Sequence, residues 1–162
     1  MPATTSSSAV GKERAGSATF AERLTGKFSG ILRWEELDAL WRRINASDEP
    51  WYLYQVGSEP PAEPVRGPTL AQALGELGAL LRADHDYDYC GIVYVDDREQ
   101  PTLVKVYDPN NLGASCGSSG RTILPRWILS RQRPEPIRDD APLPNNRRRW
   151  WQRLLGGPGT TR

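Results

Sequence analysis

Residues 87–107 read YDYCGIVYVDDREQPTLVKVY, and this stretch decides the fold. Tyr87–Val95 and Thr102–Tyr107 are rich in β-branched and aromatic residues, and the charged run Asp96–Pro101 separates them. Two such runs around a short polar turn predict a β-hairpin. Upstream, Trp51–Val56 (WYLYQV) has the same character and predicts another strand. Between it and the hairpin, Gly57–Pro68 holds four prolines and must be extended loop. A helix follows, capped by Thr69, with Leu70, Leu74, Leu77, Leu80 and Leu81 on its buried stripe. Gly75 and Gly78 lower its propensity by about 1 kcal/mol each, and small residues there let it lie close on a sheet. Trp34, Leu37, Leu40, Trp41 and Ile44 recur at helical spacing, so Leu32–Asn45 is a second main helix, capped by Ser29 or Gly30. A shorter helix is expected within Thr19–Phe28. Ile123–Leu129 is a last strand, which Pro125 demotes to a sheet edge or an irregular extension.

The expected fold is α+β: a small, mostly antiparallel sheet with two main helices packed on one face and disordered N- and C-terminal tails. Residues 1–18 form the first tail, 19–131 the single domain, and 132–162 a Pro/Arg-rich tail ending in a short Arg/Trp motif.

The 162 residues suit one domain with tails, and Gly and Pro together make about 18% of them, against about 12% in an average chain. The net charge of +1 conceals an uneven layout. Residues 29–131 carry ten basic and fifteen acidic side chains, whereas 132–162 carry seven and three. An acidic body argues against nucleic-acid reading by the folded part, because phosphate neutralisation needs a basic face. Two cysteines and one histidine cannot build a Cys₄, Cys₃His or Cys₂His₂ zinc site within one chain, and no cofactor is expected. No apolar run reaches the length of a membrane span, and the Ser/Thr-rich start lacks the apolar core of a secretory signal. A cytoplasmic location is the expectation.

Two segments offer chemistry. The loop after the hairpin, DPNNLGASCGSSGRT over 108–122, places Gly113, Gly117 and Gly120 around Cys116. Its backbone amides suit an anion. Cys116, the glycines, Arg121 and Thr122 resemble the protein tyrosine phosphatase signature, over seven residues. Four residues instead of five separate cysteine from arginine, and Ser115 replaces that family's histidine. The shortened loop cannot bring its amides and the guanidinium onto the same oxyanion. Apart from that signature, Cys116, Arg121 and Asp108 form the alternative catalytic set, a thiol-dependent enzyme or redox factor, with Cys90 as a second thiol. Cys90, Cys116 and His85 form a weaker metal-handling alternative. Asp84, Asp86 and Asp88 alternate with His85 and Tyr87, but Tyr89 and Val95 occupy the glycine and acid positions of a calcium loop. Antiparallel pairing brings Asp86, Asp88, Asp108 and the Cys116 loop to one end of the hairpin.

The second segment is RRRWWQRLL, residues 147–155. As a helix it puts Trp150, Trp151, Leu154 and Leu155 on one side, bordered by Arg147, Arg148 and Arg149. Adjacent tryptophans in a polar stretch gain stability only when buried, against the body, a partner groove or an anionic lipid surface. The leading expectation is a small accessory protein that engages a protein partner through its acidic body and this motif. On that view, deleting the motif leaves the body folded.

Overall fold

The structure, a computed structural model, describes residues 18–111, 123–138 and 143–160, with only the backbone of 111 and 156–160. In chain order the elements are α1 (Phe20–Leu24), β1 (Ser29–Arg33), α2 (Trp34–Ala46), β2 (Tyr52–Gln55) and α3 (Gly67–Asp84). They continue with β3 (Tyr89–Val95), β4 (Leu103–Val106), a 3₁₀ turn at Pro109–Asn111, β5 (Trp127–Ser130) and α4 (Asn145–Thr160). The five described strands form one antiparallel sheet in the order β1-β3-β4-β5-β2. The α+β class expected from residues 87–107 is present, and the hairpin pairs Val93 with Val106 and Val95 with Val104.

Three local expectations are corrected. Ser29 and Gly30 do not cap α2, because Ser29–Arg33 is an edge strand paired with β3. The start of α2 is held instead by Glu36, whose Oε1 accepts from the amides of Leu32 (3.0 Å) and Arg33 (3.2 Å). Helix α3 begins at Gly67 with Pro68 in its first turn, ahead of the expected Thr69 cap. Strand β5 is not an edge: it lies between β4 and β2 and is buried along its length. Pro125 precedes the strand, so its missing N–H removes no rung of the ladder.

The main core lies between the sheet and helices α2 and α3. Leu37, Leu40, Trp41 and Ile44 of α2 meet Leu70, Leu74, Leu77 and Leu81 of α3 over Val93, Val104, Val106, Trp127 and Leu129. Gly78 serves the contact between the helices. A Cβ there would come within 3.0 Å of Trp41 Nε1, so α3 approaches α2 through a residue without a side chain. Strand alternation sends Tyr54, Leu103 and Ile128 to the opposite face, where Phe20 and Val56 join them. Helix α1 brings Phe20 there. Its start is closed reciprocally: Thr19 Oγ1 accepts from the Glu22 amide and Glu22 Oε1 from the Thr19 amide, both at 3.1 Å.

Residues 1–17, most of the expected N-terminal tail, lie outside the described residues. Within the C-terminal stretch expected as a tail, residues 132–138 run along this second face. The Gln132 side chain donates to Ala18 O (3.1 Å), and the Ile137 amide donates to the Tyr54 hydroxyl (2.9 Å).

Both sheet edges are closed from within. At β1, Arg98 donates to Gly30 O (2.6 Å) while Glu36 takes the Leu32 amide, and Arg98 and Glu36 face each other at 3.7 Å. Beside β2, Trp51 and Val65 exchange both backbone hydrogen bonds at 2.8 Å, laying the proline loop over the edge. Occupied edge groups do not template strand addition.

Candidate functional site

The turn from α3 to β3, DHDYDY over 84–89, gathers the chemistry of one end of the sheet. It is built around a glycine. Gly91 has φ +71°, and it lies in the irregular stretch where Arg33 pairs with Tyr89 although Ile31 pairs with Val93. A Cβ at Gly91 would meet the Tyr89 ring at 3.2 Å. Such a bulge re-aims the neighbouring side chains. Here Cys90 and Ile92 both turn inward, and Tyr89 is left outside.

Tyr89 then stacks on Tyr87, with ring centroids 5.5 Å apart and planes within 6°. His85 lies beneath them, edge-on to Tyr87 at 4.7 Å and to Tyr89 at 6.0 Å, with Trp34 beside it at 6.3 Å. The histidine is buried, and its Nε2 has no hydrogen-bond partner among the described residues. Trp34 is fixed by an Nε1–H bond to Tyr87 O (2.9 Å) and by the Arg82 guanidinium over its ring at 5.1 Å. Tyr87 and Tyr89 are 58% and 55% exposed and Leu32 is 60% exposed, and these are the exposed large apolar side chains among the described residues. Asp86 and Asp88, both exposed, alternate with the tyrosines.

Asp84, at the start of the same turn, connects this patch to a buried ion network. Arg147 of α4 grips Asp108 with two bonds, Nε to Oδ2 at 3.1 Å and Nη2 to Oδ1 at 2.8 Å. Its Nη2 also donates to Asp84 Oδ2 at 2.9 Å. Arg126 stands 3.5 Å from Asp108 Oδ2 and donates to Val56 O at 3.0 Å, while the Asn110 amide donates to Asp108 Oδ1 at 2.9 Å. Burial pushes the Asp108 carboxyl up, but the Arg147 hydrogen bonds, the Asn110 amide and the two guanidinium charges bring it below the ordinary aspartate value. Burial acts on Arg147 in the opposite sense, and Asp108 and Asp84 outweigh it, so the guanidinium is held more firmly charged. The same guanidinium lies over the Trp127 ring at 5.5 Å, and Trp150 meets that ring edge-on at 5.8 Å.

The expected site residues thus separate. Asp108 and Arg147 meet, and Asp84 joins them through Arg147. Trp150, Trp151, Leu154 and Leu155 pack against the main core as half-buried side chains, whereas Arg148 and Arg149 are exposed. Cys90 is fully buried in β3, and burial pushes its thiol up, away from the thiolate a nucleophile needs. Gly113, Cys116, Gly117, Gly120 and Arg121 lie outside the described residues. Among the described residues no group of three or more His, Cys, Asp or Glu is arranged to hold a metal ion. No described helix is long and apolar enough to cross a membrane.

Sequence reasoning missed Arg126 and the tyrosine patch. A signal for the latter was present, since Tyr87 and Tyr89 are spaced to share one face of an extended chain among aspartates. The chain matches no protein family, no curated protein and no solved structure.

Proposed function

We propose that the chain is an accessory protein that docks a basic segment of a partner protein on the Tyr87–Tyr89 face of its acidic body. The observation that supports this reading is the stacked tyrosine pair, exposed and yet fixed from below by His85 and Trp34. Ordered aromatic rings offer contact area at little entropic cost, and interfaces concentrate such residues. Asp86 and Asp88 select a basic partner by complementarity. Strand addition is not the mode, because Arg98 and Glu36 occupy the neighbouring edge. The C-terminal motif has a divided part in this reading. Arg147 ties α4 to Asp84, one residue from the patch, and the exposed Arg148 and Arg149 meet acidic groups at the partner's rim.

The test uses the full chain carrying Tyr87→Ser and Tyr89→Ser together, compared with wild type in quantitative purification of native complexes. Both side chains are exposed, so stability is expected to stay within about 0.5 kcal/mol of wild type. Loss of a partner that wild type retains, and loss of the same partner with Asp86→Lys and Asp88→Lys, is the expected result. An unchanged set of partners in both variants removes the proposal.

A further inference from the structure

At the opposite end of the sheet, the hairpin turn, the last turn of α2 and the ends of β2 and β5 enclose a cleft of about 800 Å³. That volume lies within the range of small-molecule sites. Its walls hold three guanidinium groups and two carboxylates, from Arg42, Arg43, Arg131, Glu49 and Glu99. Arg131 donates to Glu49 Oε1 at 2.8 Å, and Arg43 donates to the Glu99 carbonyl at 3.2 Å with its Nη2 3.8 Å from the Glu99 carboxylate. Arg42 is exposed and has no hydrogen-bond or ion-pair partner among the described residues. One positive charge is therefore left over.

The donors are in excess as well. Trp51 lines the cleft, is 1% exposed, and its buried Nε1–H has no acceptor among the described residues. The Nε–H of Arg131 is also buried without an acceptor among the described residues, and the guanidinium carbon stands 5.9 Å from the Trp51 ring. An unmet buried donor costs free energy, which an oxyanion recovers once the indole and guanidinium turn toward the cleft to meet it. Ile44 and Pro101 add apolar wall beside the indole.

We propose that this cleft is a binding site for a small organic monocarboxylate with a flat apolar body. The carboxylate takes the place between Arg42, Arg131 and the Trp51 N–H, and the body lies against Ile44, Pro101 and the indole. A single negative charge matches the single uncompensated guanidinium. A dianion would meet Glu49, Glu99 and the carbonyl end of α2, all of which repel it. This site is separate from the tyrosine face and needs no partner protein.

The experiment follows the Trp51 indole N–H resonance of the full-length, ¹⁵N-labelled chain during titration with 2-naphthoate. Its uncharged counterpart 2-naphthamide and inorganic phosphate are titrated in parallel. A saturable shift of the Trp51 resonance is expected with naphthoate. The amide should bind about tenfold more weakly, as should naphthoate to Arg42→Gln or Arg131→Gln, since each change removes a charge-assisted contact. Arg42 is exposed, so its variant keeps the fold while testing the site. Absence of a saturable shift overturns the proposal, and so does equal binding of acid and amide. Phosphate binding as tight as naphthoate would also overturn it, because the apolar body would then contribute nothing.

Discussion

Asp108 is the residue on which the C-terminal third of the molecule is fastened. Its carboxylate is 4% exposed and meets Arg147, Arg126 and the Asn110 amide. A buried ion pair is no guarantee of net stability, but removing one partner leaves a charge without compensation. Asp108→Asn should therefore cost about 3 kcal/mol in urea unfolding at neutral pH. The pH dependence has a definite sign. The folded carboxyl ionises below its unfolded value, so the unfolded chain binds the proton more readily. The contribution is complete above about pH 5, and it is lost as pH falls through the lower folded pKa. Wild type should lose stability across that acid window, and Asp108→Asn should lose less there. Parallel acid limbs in urea melts of the two chains would mean that Asp108 titrates as it does unfolded.

Among the elements, β3 shows how one glycine positions a surface. Gly91 combines φ +71° with a Tyr89 ring where a Cβ would stand. Gly91→Ala should cost about 1–2 kcal/mol from the left-handed backbone, with a further cost from the ring contact. The readout specific to this site is the ring-current shift of the Tyr87 and Tyr89 protons, which should fall as the stack opens. A destabilised variant with unchanged tyrosine resonances would separate the bulge from the patch. This bulge also marks the limit of what the sequence reveals. The hairpin, β2 and the two main helices were legible because period and composition agree along each of them. β1 was not, since SGILR carries one buried residue, Ile31, and its pairing partner is remote in sequence. The central place of β5 was hidden by Pro125, a residue that only borders the strand. Asp108 and Arg147 were both named from sequence, but their pairing spans 39 positions and leaves no local trace.

For the whole molecule, the question is whether α4 is an appendage or part of the fold. The composition suggested an appendage, because 132–162 is proline-rich and basic while the body is acidic. That charge contrast is also what lets one dock on the other. Arg147 meets the buried Asp108 just past β4 and the exposed Asp84 at the end of α3, and Trp150 closes over Trp127 beneath it. Exposed α4 positions keep Arg148, Arg149 and Arg153, so only one arginine of the cluster is used in docking. A chain ending at Pro144 should then be destabilised by more than Arg147→Ala alone, since it loses the ion contacts and the Trp150, Trp151, Leu154 and Leu155 packing together. Thermal melts of the two chains make that comparison. A peptide of residues 143–162 added to the truncated chain should raise its Tm with concentration, as expected for a ligand of the folded state. The same peptide carrying Arg147→Ala should not. A truncated chain that melts with wild type, and ignores the peptide, would return α4 to the status of a tail.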